Sequence, residues 1–148
     1  MIPSQNCINL IKNFEGLSLN AYLCPASVCT IGYGTTRYED GKKVQMGEKI
    51  SIERAEKLLN WEVSKIAYRL PEMRLNQNQF DSIVSFTYNL GYANFVHSTL
   101  YNKIIRNPND QLIKDEFMKW CNARVNGKMV KLKGLIRRRE AETNLYFK

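Results

Sequence analysis

Residues 14–35 read FEGLSLNAYLCPASVCTIGYGT. Glu15 is the only ionisable carboxylate in this stretch. It stands where one kind of local pattern gives way to another. Upstream, residues 4–14 carry a helical spacing, with Ile8, Leu10 and Ile11 on one side and Ser4 as the cap. Downstream, Leu17 to about Met46 is broken into short β-like pieces, with glycines at 32, 34 and 41 and an Asp40-Gly41 turn between polar strands. The segment therefore predicts a helix running into a small β lobe over about residues 16–50, with one acid at the junction.

Outward from there the chain becomes helical. Ser51 opens a long helix in which Ala55, Leu58, Leu59, Val63, Ile66, Ala67 and Leu70 recur every three or four residues, and Pro71 stops it. The stretch NQFDSIVSFTYNLG, residues 78–91, has no clean polar face and ends in Gly91, as expected of a buried central helix with a glycine C-cap. Three shorter helices are expected after it: one from near Ser98, one from Asp110 as N-cap through Phe117 and Trp120, and one over about 135–145. No repeat or linker divides the chain. The expected architecture is a single α+β domain, residues 1–148, whose helical lobe comprises about 51–148 together with the helix 4–14. Two lobes joined by a long helix leave a cleft between them, wide enough for an extended substrate.

Bulk properties narrow the choices. An apolar fraction of 44% and a charged fraction of 24% are those of an ordinary globular protein. No apolar run reaches the ~20 residues of a membrane span, and MIPSQNCINLIKNFEG lacks the basic start and apolar block of a secretory signal. Synthesis in a cytoplasm is expected. The net charge is +8, and from Phe117 to Arg139 there are eight Lys or Arg and no acid, a field that attracts polyanions. A solvated face is the more frequent reason for such a run. The four cysteines, Cys7, Cys24, Cys29 and Cys121, are expected as free thiols in a reducing compartment. Oxidation could still join Cys24 to Cys29 across their loop and tie up the Cys24 thiol. With His97 the only histidine and no second close cysteine pair, neither a zinc site nor any other metal site is expected.

Glu15, set beside Phe14, Leu17 and Leu19, is the candidate proton donor, because desolvation favours the protonated form of a carboxyl. An ion pair with Arg137 or Arg138 is the plainer role, and it would oppose that effect. Cys24 lies nine positions after Glu15, and Thr30 six further on, in a turn that brings the chain back.

Glu, then Asp or Cys, then Thr at this spacing resembles the active-site pattern of the phage-type lysozymes, the glycoside hydrolases that include the bacteriophage endolysins. Glu15-Gly16-Leu17, Ala21-Tyr22 and Thr30-Ile31-Gly32-Tyr33-Gly34-Thr35 carry the likeness locally. QFDSIVSFTYNLG resembles the family's buried central helix, FVHSTLYNKI the segment after it, and GLIRRREAETNLY its C-terminal helix with paired arginines and a following Glu. The resemblance covers nearly the whole chain.

It implies a lysozyme-like fold and hydrolysis of the β-1,4 bond between N-acetylmuramic acid and N-acetylglucosamine in bacterial peptidoglycan, by a monomer without cofactor or metal. Glu15 would be the acid, Cys24 would fill the place where many relatives carry Asp, and Thr30 would help hold the attacking water. Tyr22, Gly32, Tyr33, Gly34, Thr35 and Asn89 would line the substrate cleft, and Arg137 and Arg138 would orient Glu15. Cys24 departs from the commoner pattern: an Asp of pKa about 3.9 is ionised at neutral pH, whereas a thiol of about 8.5 is mostly protonated and accepts hydrogen bonds poorly. The resemblance also implies release to the cell wall by a separate membrane-permeabilising protein, a holin. The basic C-terminal half would then meet the carboxylates of the wall. A catalytically silent wall-binding module is the alternative. A cysteine hydrolase built on Cys24 and His97, or a nucleic-acid binder, would need features that the sequence does not display.

Overall fold

The computed structural model of the chain describes all 148 residues. The first helix, α1, is Gln5–Glu15, with the Ser4 side chain accepting from the Asn6 N–H at its start. Ser4 also donates, through its backbone N–H and its hydroxyl, to the buried carboxylate of Asp81, which fastens the helix start to the core. Cys7, Ile8 and Ile11 form the buried face. Gly16, at φ 68°, ends the helix at a conformation that glycine adopts without strain and turns the chain outward immediately after Glu15.

The β lobe follows where the sequence puts it. Strand β1, Ser18–Leu23, pairs antiparallel with β2, Cys29–Gly32, with Tyr22 opposite Thr30 and Leu23 opposite Cys29. The rest of the lobe is held by isolated bridges, Asn20 with Lys49, Ile31 with Thr35 and Arg37 with Lys43; the Asp40-Gly41 turn closes the last of these. The lobe is thus one short ladder with loops tied to it.

Helix α2, Ile52–Arg69, is capped by Ser51, which accepts from the Arg54 N–H, and stops as Leu70 turns extended before Pro71. Helix α3, Gln77–Leu90, starts with a reciprocal capping box between Asn76 and Gln79, and every residue from Gln79 to Thr87 is buried. Gly91, at φ 90°, ends it as expected. Then come α4, Tyr92–Val96; α5, Thr99–Arg106; α6, Ile113–Met118; the antiparallel strands β3, Asn122–Val125, and β4, Lys128–Lys131; and α7, Lys133–Tyr146. The core gathers around α3. Phe86 meets Phe95, Phe117 and Trp120 edge-on, with ring centroids 6.0, 5.6 and 5.7 Å away.

Three details differ from the sequence reading. A short α4 precedes the helix expected near Ser98. Asp110 does not cap α6: its carboxylate accepts from the Leu112 N–H inside a preceding turn, so the helix begins later, at Ile113. Between α6 and α7 lies the β3–β4 hairpin, turning at Asn126 and Gly127 with φ of 50° and 80°, where no strands were expected.

Removing the hub of the aromatic cluster by Phe86→Ala should cost about 3–5 kcal/mol of unfolding free energy. Asn76→Ala, which removes the cap of the same helix, should cost about 1 kcal/mol. Urea unfolding followed by circular dichroism measures both.

Candidate active site

Glu15 is the last residue of α1, and its side chain is 22% exposed. It lines a cleft of about 830 Å³ with Asn13, Phe14, Asn89, the Leu132–Leu135 segment, Arg137 and Arg138. Among these residues Glu15 is the only carboxylate. Its Oε1 accepts from Arg138 Nη1 at 2.6 Å. Its Oε2 lies against the loop after β2: a Cβ at Gly34 would be 2.8 Å from that oxygen, and Gly34 has φ +85°. Only glycine permits this approach. Tyr88 on α3 closes the same corner, donating its hydroxyl to the Tyr33 carbonyl at 2.6 Å. Burial first, then the Glu15 and Glu62 charges, push the Tyr88 phenol far up, so it stays a neutral donor.

Arg138 is itself buried and held from three sides. It reaches Glu15, the Ser85 carbonyl at 3.3 Å and the carboxylate of Glu142 at 3.2 Å. Its guanidinium also lies 5.7 Å from the centre of the Phe14 ring. Arg139, fully buried, reaches Glu142 at 2.8 and 3.0 Å, and its Nη2 donates to Asn89 Oδ1 at 2.8 Å. With that oxygen engaged, the Asn89 amide keeps its N–H donors for a ligand in the cleft it lines. Burial pushes the Glu142 carboxyl upward, opposed by Arg139 and then Arg138.

The structure separates the two arginines expected to orient Glu15. Arg138 makes the ion pair; Arg137 does not, standing exposed on the cleft wall one residue around the helix. The expected cleft residues separate as well. Gly34 abuts Glu15, and Asn89 lines the cleft. Gly32 instead faces α2, where a Cβ would meet Ala55 and Ile50 at 3.4 Å. Tyr33 is buried, with Lys12 5.3 Å from its ring centre. Thr35 is buried with no partner for its hydroxyl.

Cys24 and Thr30 sit together on the β1–β2 hairpin, outside the residues that line the Glu15 cleft. Successive side chains on a strand alternate faces, and directly opposed residues share one. Tyr22 and Thr30 are opposed and share one face, while Leu23 and Cys29 lie on the other; Cys24, just past the end of β1, has its thiol beside the Thr30 hydroxyl. Cys29 accordingly lines a separate pocket of about 400 Å³ with Thr36, Arg37 and Lys43. All four cysteines are free. The hairpin geometry thus disfavours the Cys24–Cys29 bond that sequence spacing allows.

The Val28 N–H holds the Cys24 thiol below its usual value against the opposing effect of burial, with smaller help from the Ala26 N–H and the Thr30 hydroxyl. The Thr30 hydroxyl donates to the Val28 carbonyl at 2.9 Å, and its oxygen remains an acceptor. His97 is exposed at the end of α4 and belongs to none of this.

Sequence reading did not single out Glu142, Arg139 or Tyr88. For Glu142 the signal was present: it stands three residues after Arg139 and four after Arg138, the spacing of helical neighbours.

Comparison with known proteins follows the same lines. Residues 12–142 match the Phage lysozyme family. The chain is 40% identical to an endolysin of Acyrthosiphon pisum secondary endosymbiont phage 1 over 97% of its own length and 96% of the other. It is 39% identical to the endolysin of Bacillus phage B103 over 97% of its length, but spans only 53% of that longer protein. Among solved structures it resembles the endolysin from Escherichia coli O157:H7 phage FAHEc1, with TM-score 0.87, 37% identity and coverage of 99% and 93% of the two chains. It also resembles the muramidase domain of SpmX from Asticaccaulis excentricus, with TM-score 0.84, 31% identity and coverage of 98% and 97%.

The hairpin geometry makes the two neighbouring thiols distinguishable. Iodoacetamide at neutral pH should alkylate Cys24 several-fold faster than Cys29, and diamide should leave no Cys24–Cys29 disulfide; peptide mass spectrometry reads both.

Proposed function

The chain belongs to the phage lysozyme family, and from that premise we propose that it is a muramidase cleaving the β-1,4 bond between N-acetylmuramic acid and N-acetylglucosamine in bacterial peptidoglycan. The observation that carries the reading is the solitude of Glu15: one half-dry carboxylate in its cleft, with one oxygen held by Arg138 and the other against Gly34.

Glycoside hydrolysis needs an acid on the departing oxygen and a second group across the sugar ring. Glu15 supplies the acid. Arg138 fixes its orientation, so that the carboxyl does not have to be ordered when the substrate arrives. Asn89 donates an N–H to a sugar amide or hydroxyl. Across the sugar stand Cys24 and Thr30, side by side on the β1–β2 hairpin. The backbone N–H groups that favour the thiolate allow Cys24 to act as the anion or base that an Asp would supply, and Thr30 offers its oxygen to the attacking water. Tyr22 lies on the face that carries Thr30. No cofactor enters the reaction.

In the wider setting the enzyme acts as a monomer on the wall of a host cell. It is synthesised in the cytoplasm and reaches the wall once a holin has opened the membrane. In support, no helix is long and apolar enough to cross a membrane. The chain also spans nearly the full length of one endolysin relative.

Turbidity loss of purified murein sacculi tests the assignment. Glu15→Gln should fold normally and lower the rate by about 100- to 10,000-fold, the range for a lost general acid. Cys24→Ser should lower it at least tenfold; full activity there would remove Cys24 from the mechanism. Gly34→Ala should fall at least tenfold as well, because its methyl group would displace Glu15 Oε2.

A further inference from the structure

Glu142 touches neither the cleft nor solvent, yet it lies one side chain behind both cleft groups. Its Oε1 accepts from Arg138 Nε at 3.2 Å, Arg139 Nη2 at 3.0 Å and the Ser85 hydroxyl at 2.9 Å. Its Oε2 stands 2.8 Å from Arg139 Nε. Arg138 continues to Glu15 and Arg139 to Asn89. A carboxylate buried this deeply is costly unless it neutralises something. Here it meets two guanidiniums that do not lose their protons in proteins.

We infer that Glu142 is a positioning residue for the reaction: it offsets the charge of Arg138 beside Glu15, and through Arg139 it aims the Asn89 amide into the cleft. The inference rests on Glu15 being the general acid. With Glu15 protonated, the cluster of Arg138, Arg139 and Glu142 carries one net positive charge; without Glu142 it would carry two, and the ionised form of Glu15 would be favoured.

The remaining charged or titratable groups around Glu142 do not replace it. From α1 come Cys7 and Glu15 itself. Burial, and after it Asp81 and Glu142, push the Cys7 thiol far up, so it is uncharged. From α3 come Asp81, whose carboxylate is engaged by Ser4 and Gln77, and the neutral Tyr88. From the segment before β3 comes Cys121, whose thiol is raised by burial. From α7 itself comes Glu140, which is exposed.

A general acid works only while protonated, so it sets the alkaline limb of the pH–rate profile. The test is kcat/KM on purified sacculi across pH at fixed ionic strength, for the parent, Glu142→Gln, and the double variant Arg139→Gln/Glu142→Gln, which restores the cluster's net charge. In Glu142→Gln the alkaline limb should move to lower pH by roughly half a unit or more. In the double variant it should return to the parent's position, while KM rises several-fold because Asn89 has lost its partner. Glu142→Asp, which keeps the charge, should hold the limb near the parent's.

An unmoved limb in folded Glu142→Gln, beside a parent with a clear alkaline limb, would overturn this role and leave the Glu15 assignment standing. A parent without an alkaline limb would overturn both. Where Glu142→Gln does not fold, the double variant decides: a displaced limb or an unchanged KM in it overturns the role.

Discussion

Three charges withdrawn from water at the contact of α3 with α7 set the terms for the rest of the molecule. Arg138, Arg139 and Glu142 are all buried, and removing one partner of such a group costs about 3–5 kcal/mol. The fold answers by surrounding them with donors and acceptors: the Ser85 hydroxyl and carbonyl, the Trp120 carbonyl and the Asn89 amide. That need explains why α3, buried along most of its length, carries Ser82, Ser85 and Asn89 among its apolar residues. Ser82 donates to the Glu142 backbone carbonyl at 2.7 Å, binding the helices at the same level. The end of α1 is drawn into this arrangement through Arg138, and the single acid of the cleft takes its position from a charge cluster rather than from a loop.

The two lobes are built to different standards. On the helical side, Arg138 and Asn89 are each fixed by a second group behind them, Glu142 and Arg139 respectively. The β lobe, which carries Cys24 and Thr30 outside the lining of that cleft, is a two-stranded ladder supported by isolated bridges. The lobe is nonetheless fastened to α2, where Arg54 pairs with Glu39 through two 2.6 Å contacts and Gly32 packs against Ala55.

Much of this was legible in residue order. The starts at Ser4 and Ser51, the stop at Pro71 and the all-round apolar character of residues 80–90 locate the major helices, because each is a local signal with a local cause. Glu15 could be singled out as the lone acid at a helix end. What could not be read was direction. Whether Arg137 or Arg138 turns toward Glu15 depends on how α7 is rotated in its packing, a difference of one residue that no spacing rule resolves. Gly32 and Tyr33 belong to the same glycine-rich run as Gly34, yet the loop turns them toward α2 and the core. The β3–β4 hairpin was readable in principle, since Val125-Asn126-Gly127-Lys128 is a strong two-residue turn signal. It was overshadowed by the basic charge of the region, a pattern that speaks of solvent and not of backbone.

That hairpin pairs chiefly with itself, its strands and turn are exposed apart from Ala123, and only its far end, at Leu132, borders the cleft. Nothing in the core is threaded through Asn126 and Gly127. A reporter peptide or a small foreign domain spliced between them would extend the chain into solvent without disturbing the helices, which makes this tip a natural graft point on the scaffold.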